Sequence, residues 1–229
     1  MSQAVGAVVC VSGGLDSCVT LAEAVRVHGT VGALHLGYGQ LTEARERCAF
    51  DAVCDHFGIE HRLLARQPAL AEIGASALVD PEIAVPEKES GDEIPVTYVP
   101  FRNGQILSIA AAWAEALGAG EIYLGAVEED GSGYPDCREE FFRAFESAVA
   151  AGTRPETVIR VVTPVLHLDK PAIVRRGMEL GAPLQLTWSC YQAEDRPCGV
   201  CESCRLRANG FDRAGVSDPL LVEPGHPHE

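Results

Sequence analysis

No apolar run in the 229-residue chain approaches the roughly 18 residues that a membrane-spanning helix needs. Its opening, MSQAVGAVVCVSGG, lacks the basic start of an export signal, and its short apolar stretch ends in glycines. That stretch reads as a buried strand, and the chain is expected to be cytoplasmic. Basic charge is also scarce: 18 Lys and Arg stand against 33 Asp and Glu, a net charge of −15. A broad grip on a nucleic-acid backbone is therefore excluded, but a loop of backbone N–H groups holding phosphate is not. The acidity is local. Residues 72–93 and 121–140 each hold seven acids and one base, and together they supply −12 of the total. The chain has no internal repeat, no low-complexity tract and no glutaminase-like segment. It also lacks a Gly-Lys-Ser/Thr phosphate loop and a GxGxxG fingerprint.

What is present reads as an ordinary globular α/β protein, with 47% hydrophobic and 22% charged residues. Short apolar runs alternate with stretches of helical periodicity. Strands are predicted at Ala4–Val11, Thr30–Leu36, Ile59–Ala65, Glu121–Val127 and Thr157–Thr163. Helices are predicted at Leu15–His28, Thr42–Phe57, Asn103–Leu117, Arg138–Ala151 and Lys170–Leu180, several of them stopped by glycine. Alternation of this kind implies a Rossmann-like parallel sheet of five strands, with helices on both faces. The pattern divides the chain into a nucleotide-binding α/β part, residues 1–186, and a cysteine-rich segment with a tail, residues 187–229. Residues 67–100, with five prolines, form an inserted loop region too punctuated for a long helix.

The turn from the first strand into the first helix reads CVSGGLDSC, Cys10–Cys18. In a doubly wound sheet this turn is the usual anion site. Gly13 and Gly14 let the backbone approach a ligand, Ser12 and Ser17 add neutral donors, and the helix start adds partial positive charge. Asp16 is placed to cap the helix or help hold Mg²⁺. The motif resembles the pyrophosphate loop of the ATP pyrophosphatases, which cut ATP between its α and β phosphates. Amidating synthetases and tRNA-sulfur enzymes share that loop, so it leaves the substrate open.

Cys190, Cys198, Cys201 and Cys204 form C-x7-C-x2-C-x2-C. Four thiolates satisfy tetrahedral Zn²⁺ with no position left for water, which makes such a site structural. An iron–sulfur cluster is the competing metal. Of the remaining cysteines, Cys10, Cys18, Cys48 and Cys54 read as small buried hydrophobes. Cys137 stands in a polar stretch and is open to two readings, a reactive thiol or a packing residue.

Three further stretches, YGQ (Tyr38–Gln40), VPFRN (Val99–Asn103) and EDGSGYPDCREEF (Glu129–Phe141), fall on the same side of the predicted sheet as the loop. Taken with the tail TWSCYQAEDRPCGVCESCRLRANGF, they make the chain similar to the 7-cyano-7-deazaguanine synthase family, from about Val8 to Pro219. The resemblance implies an adenine nucleotide alpha hydrolase-like fold, a homodimer, and ATP, Mg²⁺ and Zn²⁺ as cofactors. It also implies an ATP-dependent ligase that turns 7-carboxy-7-deazaguanine and ammonia into the nitrile by way of an adenylated acid and an amide.

Site residues follow from the matching positions. ATP falls to Cys10, Val11, Ser12, Gly13, Gly14, Leu15, Asp16, Ser17, Cys18, Val19 and Thr20. Asp16, Arg102, Asp136 and Lys170 are the catalytic candidates, with Arg102 and Lys170 as cations for phosphate or carboxylate. The acceptor falls to Tyr38, Gln40, Arg102, Asn103, Asp130, Tyr134, Asp136 and Arg138. Within that set Asp130 and Asp136 face the guanine-like edge, or Asp136 binds Mg²⁺. Tyr134 is placed to stack on the heterocycle, and Arg138 to pair with acidic neighbours. Two departures stand out: the family has glycine where this chain has Phe101, and a basic pair where it has Leu41-Thr42. Phe101 is expected to narrow the pocket. The departures leave room for a paralogue that uses a related deazapurine acid or another amine. The rival readings are a tRNA-sulfur enzyme using Cys137 and a zinc-stabilised nucleotide-binding regulator without turnover.

Overall fold

The structure is a computed structural model, and it describes residues 4–86, 94–128 and 133–222. Five parallel strands lie in the order β3-β2-β1-β4-β5. They span Ala7–Cys10 (β1), Val31–Gly37 (β2), His61–Arg66 (β3), Glu121–Leu124 (β4) and Arg160–Val162 (β5). β1 and β2 are buried at every residue, whereas the edge strands β3 and β5 are partly exposed. This is the expected consequence of covering a parallel sheet on both faces.

The period of two along β1 assigns each side chain to a layer. Ala7 and Val9 pack with Leu21 of α1 (Leu15–His28) and with Phe50 and Val53 of α2 (Glu43–His56). Val8 and Cys10 face the opposite layer, with Leu107 and Ala110 of α4 (Arg102–Leu117) and Phe142 of α5 (Glu139–Gly152). The alanines of α4 let it lie close: a side chain on Gly32 of β2 would meet the Trp113 ring at 2.8 Å. Truncating a fully buried residue such as Leu21 is expected to cost about 2–5 kcal/mol.

Boundaries differ from the sequence reading where backbone contacts decide them. β4 stops at Leu124, not Val127, because Gly125 passes against α1: a Cβ there would meet the Ser17 nitrogen at 2.9 Å. Among the described residues of the proline-rich stretch, α3 (Ala69–Ile73) is the single short helix. The larger surprise is α7 (Glu202–Ala214), since the sequence reading made this part of the tail only a metal loop. It packs on α6 (Lys170–Glu179), with Phe211 among Leu15, Val19, Ile173 and Val174. Among the described residues, no helix is long and apolar enough to cross a membrane.

Strand order reverses around β1, so the connections leaving β1 and β4 part company at their carboxyl ends. In open α/β sheets that divergence opens the ligand crevice.

Candidate functional site

A cleft of about 270 Å³ lies at this switch point, floored by Cys10, Leu34, Leu36 and Leu124 at the strand ends. Ser12, Gly14, Leu15, Asp16 and Ser17 form one wall. Gly13 has φ +93°, and a Cβ there would meet the Glu46 carbonyl oxygen at 2.5 Å, so only glycine fits the turn. The hydroxyls of Ser12 and Ser17 lie 3.1 Å apart, Gly14 N–H donates to Ser12 Oγ, and Ser17 Oγ donates to the Gly14 carbonyl. Gly14 caps α1 without a side-chain acceptor, which leaves the first-turn N–H groups to a ligand.

Lys170 opens α6 and reaches across the loop, its Nζ 2.8 Å from both carboxylate oxygens of Asp16. Two causes hold it there. Asp169 caps α6 through the Ala172 N–H, and Gly210 of α7 is so close that a Cβ would meet Lys170 Cγ at 2.6 Å. Charge along this wall is therefore balanced by residues 154 positions apart.

The opposite wall joins Tyr38, Gln40, Thr42 and Glu46 with Arg102, Asn103 and Ile106. Gln40 sits at its centre. Its amide oxygen accepts the Tyr38 N–H at 2.9 Å, and its amide nitrogen donates to Glu46 Oε2 at 3.0 Å. Thr42 Oγ1 donates to Glu46 Oε1 at 2.8 Å. Burial raises the Glu46 carboxyl above the usual carboxylate range, and these bonds offset only part of the rise. Arg102 donates to Tyr38 Oη at 3.3 Å. Burial works to lower the Arg102 pKa, but Tyr38, Tyr191 and Cys137 around it together more than offset that, so the guanidinium stays charged.

The cysteine segment closes the cleft, contributing Trp188, Ser189, Cys190, Tyr191, Ser203 and Arg207. Trp188 N–H donates to the Gly13 carbonyl at 2.9 Å, and Arg45 lies 4.4 Å above its ring. The Sγ atoms of Cys190, Cys198, Cys201 and Cys204 all lie within 4.8 Å of one another. A tetrahedral ion with bonds of about 2.3 Å needs sulfurs about 3.8 Å apart, and Cys198 and Cys204 are 3.9 Å apart. Backbone N–H groups of Gln192, Ala193 and Cys198 point at Cys190 Sγ, as expected around a thiolate. The set fits one metal ion.

The matching family model is "Queuosine biosynthesis protein QueC", aligned over residues 6–215. The chain belongs to the QueC family. Within it, a 7-cyano-7-deazaguanine synthase of Koribacter versatilis is 54% identical over 222 residues, 95% of this chain and 93% of that protein. The enzyme of the same name from Campylobacter curvus is 52% identical, over 93% and 96% of the two chains. Among solved structures, an NMN synthetase from Francisella tularensis aligns at a TM-score of 0.47 and 16% identity, over 96% of this chain and 82% of that one.

Not every residue carried over from the QueC resemblance lines the cleft. Cys18 and Val19 are on the buried side of α1, and Thr20 Oγ1 is buried there with no partner among the described residues. Asp136 stands behind Asn103, its Oδ2 accepting the Asn103 N–H at 2.9 Å and its carbonyl the side-chain amide at 3.0 Å. Burial raises its carboxyl pKa. Tyr134 bonds Thr97 Oγ1 at 2.6 Å, away from the cleft, and Arg138 is exposed, 3.7 Å from Glu140. Asp130 lies outside the described residues.

Two expectations need correction, for Phe101 and Cys48, and the open reading of Cys137 moves toward packing. Phe101 does not narrow the cleft: it is 51% exposed and meets Phe141 edge-on at 5.8 Å. It holds φ +55°, a left-handed conformation that explains glycine at this position in the family pattern. Cys48 is exposed, not buried, because it lies on the outer face of α2. Cys137 is buried despite its polar surroundings, and burial pushes its thiol up to about 11. Residues that sequence reasoning passed over include Glu46, Trp188 and Arg207. The signals were one of two acids in the first turn of a helix pattern and a tail in which only the cysteines were read.

Proposed function

We propose that this chain is an ATP-dependent ligase that converts 7-carboxy-7-deazaguanine and ammonia into 7-cyano-7-deazaguanine, releasing AMP and diphosphate. The observation that carries the reading is the shared cleft: the Ser12–Ser17 loop, with Lys170 on Asp16, opens into the same space as Tyr38, Gln40 and Arg102. The loop's glycines, hydroxyls and first-turn N–H groups hold the triphosphate, and Lys170 balances charge as diphosphate departs. Arg102 orients the acceptor carboxylate, which attacks the α-phosphorus to form an acyl-AMP that ammonia then attacks. A second adenylation, at the amide oxygen, lets AMP carry that oxygen away and leaves the nitrile. Mg²⁺ bound with the triphosphate would supply charge neutralisation, with Asp16 as its candidate protein ligand in the cleft. Zn²⁺ on the four cysteines would hold residues 187–222 in their fold, as a structural and not a catalytic ion.

Cys137 counts against the sulfur-transfer alternative, since a buried thiol titrating near 11 carries little thiolate at neutral pH. The test is a mass-resolved assay with the deazaguanine acid, ATP, Mg²⁺ and ammonium. AMP, diphosphate, the amide and the nitrile are expected. ADP with orthophosphate, or AMP at background with no new mass, would overturn the proposal.

A further inference from the structure

Among the described residues that line the cleft, the carboxyls are Asp16 and Glu46. Asp16 is spent on Lys170 through both oxygens. Glu46 differs. Among the described residues, each of its oxygens accepts a single hydrogen bond, from Thr42 at Oε1 and from Gln40 at Oε2. A carboxylate offers about four acceptor sites, so one lone pair on each oxygen remains to be filled. A half-satisfied, partly buried carboxylate that its surroundings desolvate is costly, and a ligand that brings two N–H donors in parallel removes that cost.

We propose that Glu46 is the specificity-determining residue for the acceptor, and that its carboxylate takes the paired N–H donors of an amino-pyrimidinone edge. The inference rests on the function proposed above and assigns the guanine-like edge to a residue other than Asp130 or Asp136. Asp136 already accepts the Asn103 N–H at the start of α4 and does not line the cleft. The pairing also discriminates between the two heterocycles of the reaction. A guanine-type edge presents the ring N–H and the exocyclic amine as adjacent donors. Adenine sets each amine donor beside a ring nitrogen lone pair, which a carboxylate repels. Arg102 has no carboxylate partner among the described residues, so one wall offers a cation for the acid group and an anion for the base edge.

The experiment compares 7-carboxy-7-deazaguanine with its analogue lacking the exocyclic amine, using wild type and Glu46→Gln. Wild type is expected to favour the amine-bearing acid by at least about 30-fold in kcat/KM, a charged hydrogen bond's worth of discrimination. Glu46→Gln should cut that ratio to below about 3-fold, with the KM for ATP unchanged within about 2-fold. A ratio that survives the substitution overturns the assignment, and so does an effect confined to the KM for ATP. Calorimetric binding of the two acids to wild type, without ATP, decides the matter if the variant does not fold: equal affinities overturn the proposal. Failure of the parent reading looks different, because wild type would then release no AMP with the amine-bearing acid while the calorimetric preference still reports on Glu46.

Discussion

Phe101 illustrates how much one backbone angle decides. Its N–H is fixed by Tyr98 Oη at 3.0 Å, and its ring fills the space that a side chain on Gly104 would otherwise occupy. The left-handed conformation costs a residue with a Cβ roughly 1 kcal/mol more than glycine. Phe101→Ala and Phe101→Gly both delete the ring, so their difference isolates that cost. Phe101→Gly is expected to be the more stable by about 1 kcal/mol in urea titration. Equal midpoints would show that the backbone relaxes there. The sequence marked Phe101 as a departure but misread its consequence, because residue type says nothing about φ. Glu46 was missed for a related reason: its role comes from Gln40 and Thr42, two residues that periodicity alone cannot aim at it.

At the scale of elements, the sheet and its covering helices were legible. Apolar runs and glycine stops record burial and termination directly, which is why α1 was predicted at its observed limits. α7 was hidden because its inward face is carried by Arg207 and Phe211 more than by a run of aliphatics. Arg207 is 5% exposed. It is paired with Asp218 at 2.6 and 2.9 Å, and also donates to Thr187 Oγ1 and the Leu184 carbonyl. Removing one partner of such a network leaves the other charged and buried. Arg207→Met is expected to destabilise the protein by about 3–5 kcal/mol in denaturant unfolding, whereas a surface pair such as Arg143–Glu139 should contribute under about 1 kcal/mol. A loss below 1 kcal/mol for Arg207→Met would mean that Asp218 finds water or another donor.

For the whole molecule, the sequence separated a nucleotide part from a cysteine tail, and the cleft draws on both. Cys190 belongs to the thiolate cluster and also lines the cleft, while Trp188, two residues earlier, bonds the Gly13 carbonyl. Stripping the metal with a chelator should therefore do more than lower the melting temperature. ATP affinity, read by calorimetry, is expected to fall at least about 10-fold, and hydrogen exchange should quicken at Trp188 and along the Ser12–Ser17 loop. Unchanged ATP affinity after metal loss would separate the two sites energetically.

The pairing of Lys170 with Asp16 bears on how the protein comes into being. All five strands are complete by Val162, eight residues before the cation that neutralises the loop. A translation product halted between these points holds every strand of the sheet yet turns an uncompensated negative charge toward an anionic ligand. The sheet is thus finished before the loop's charge is balanced, and that balance arrives only with the first residue of α6.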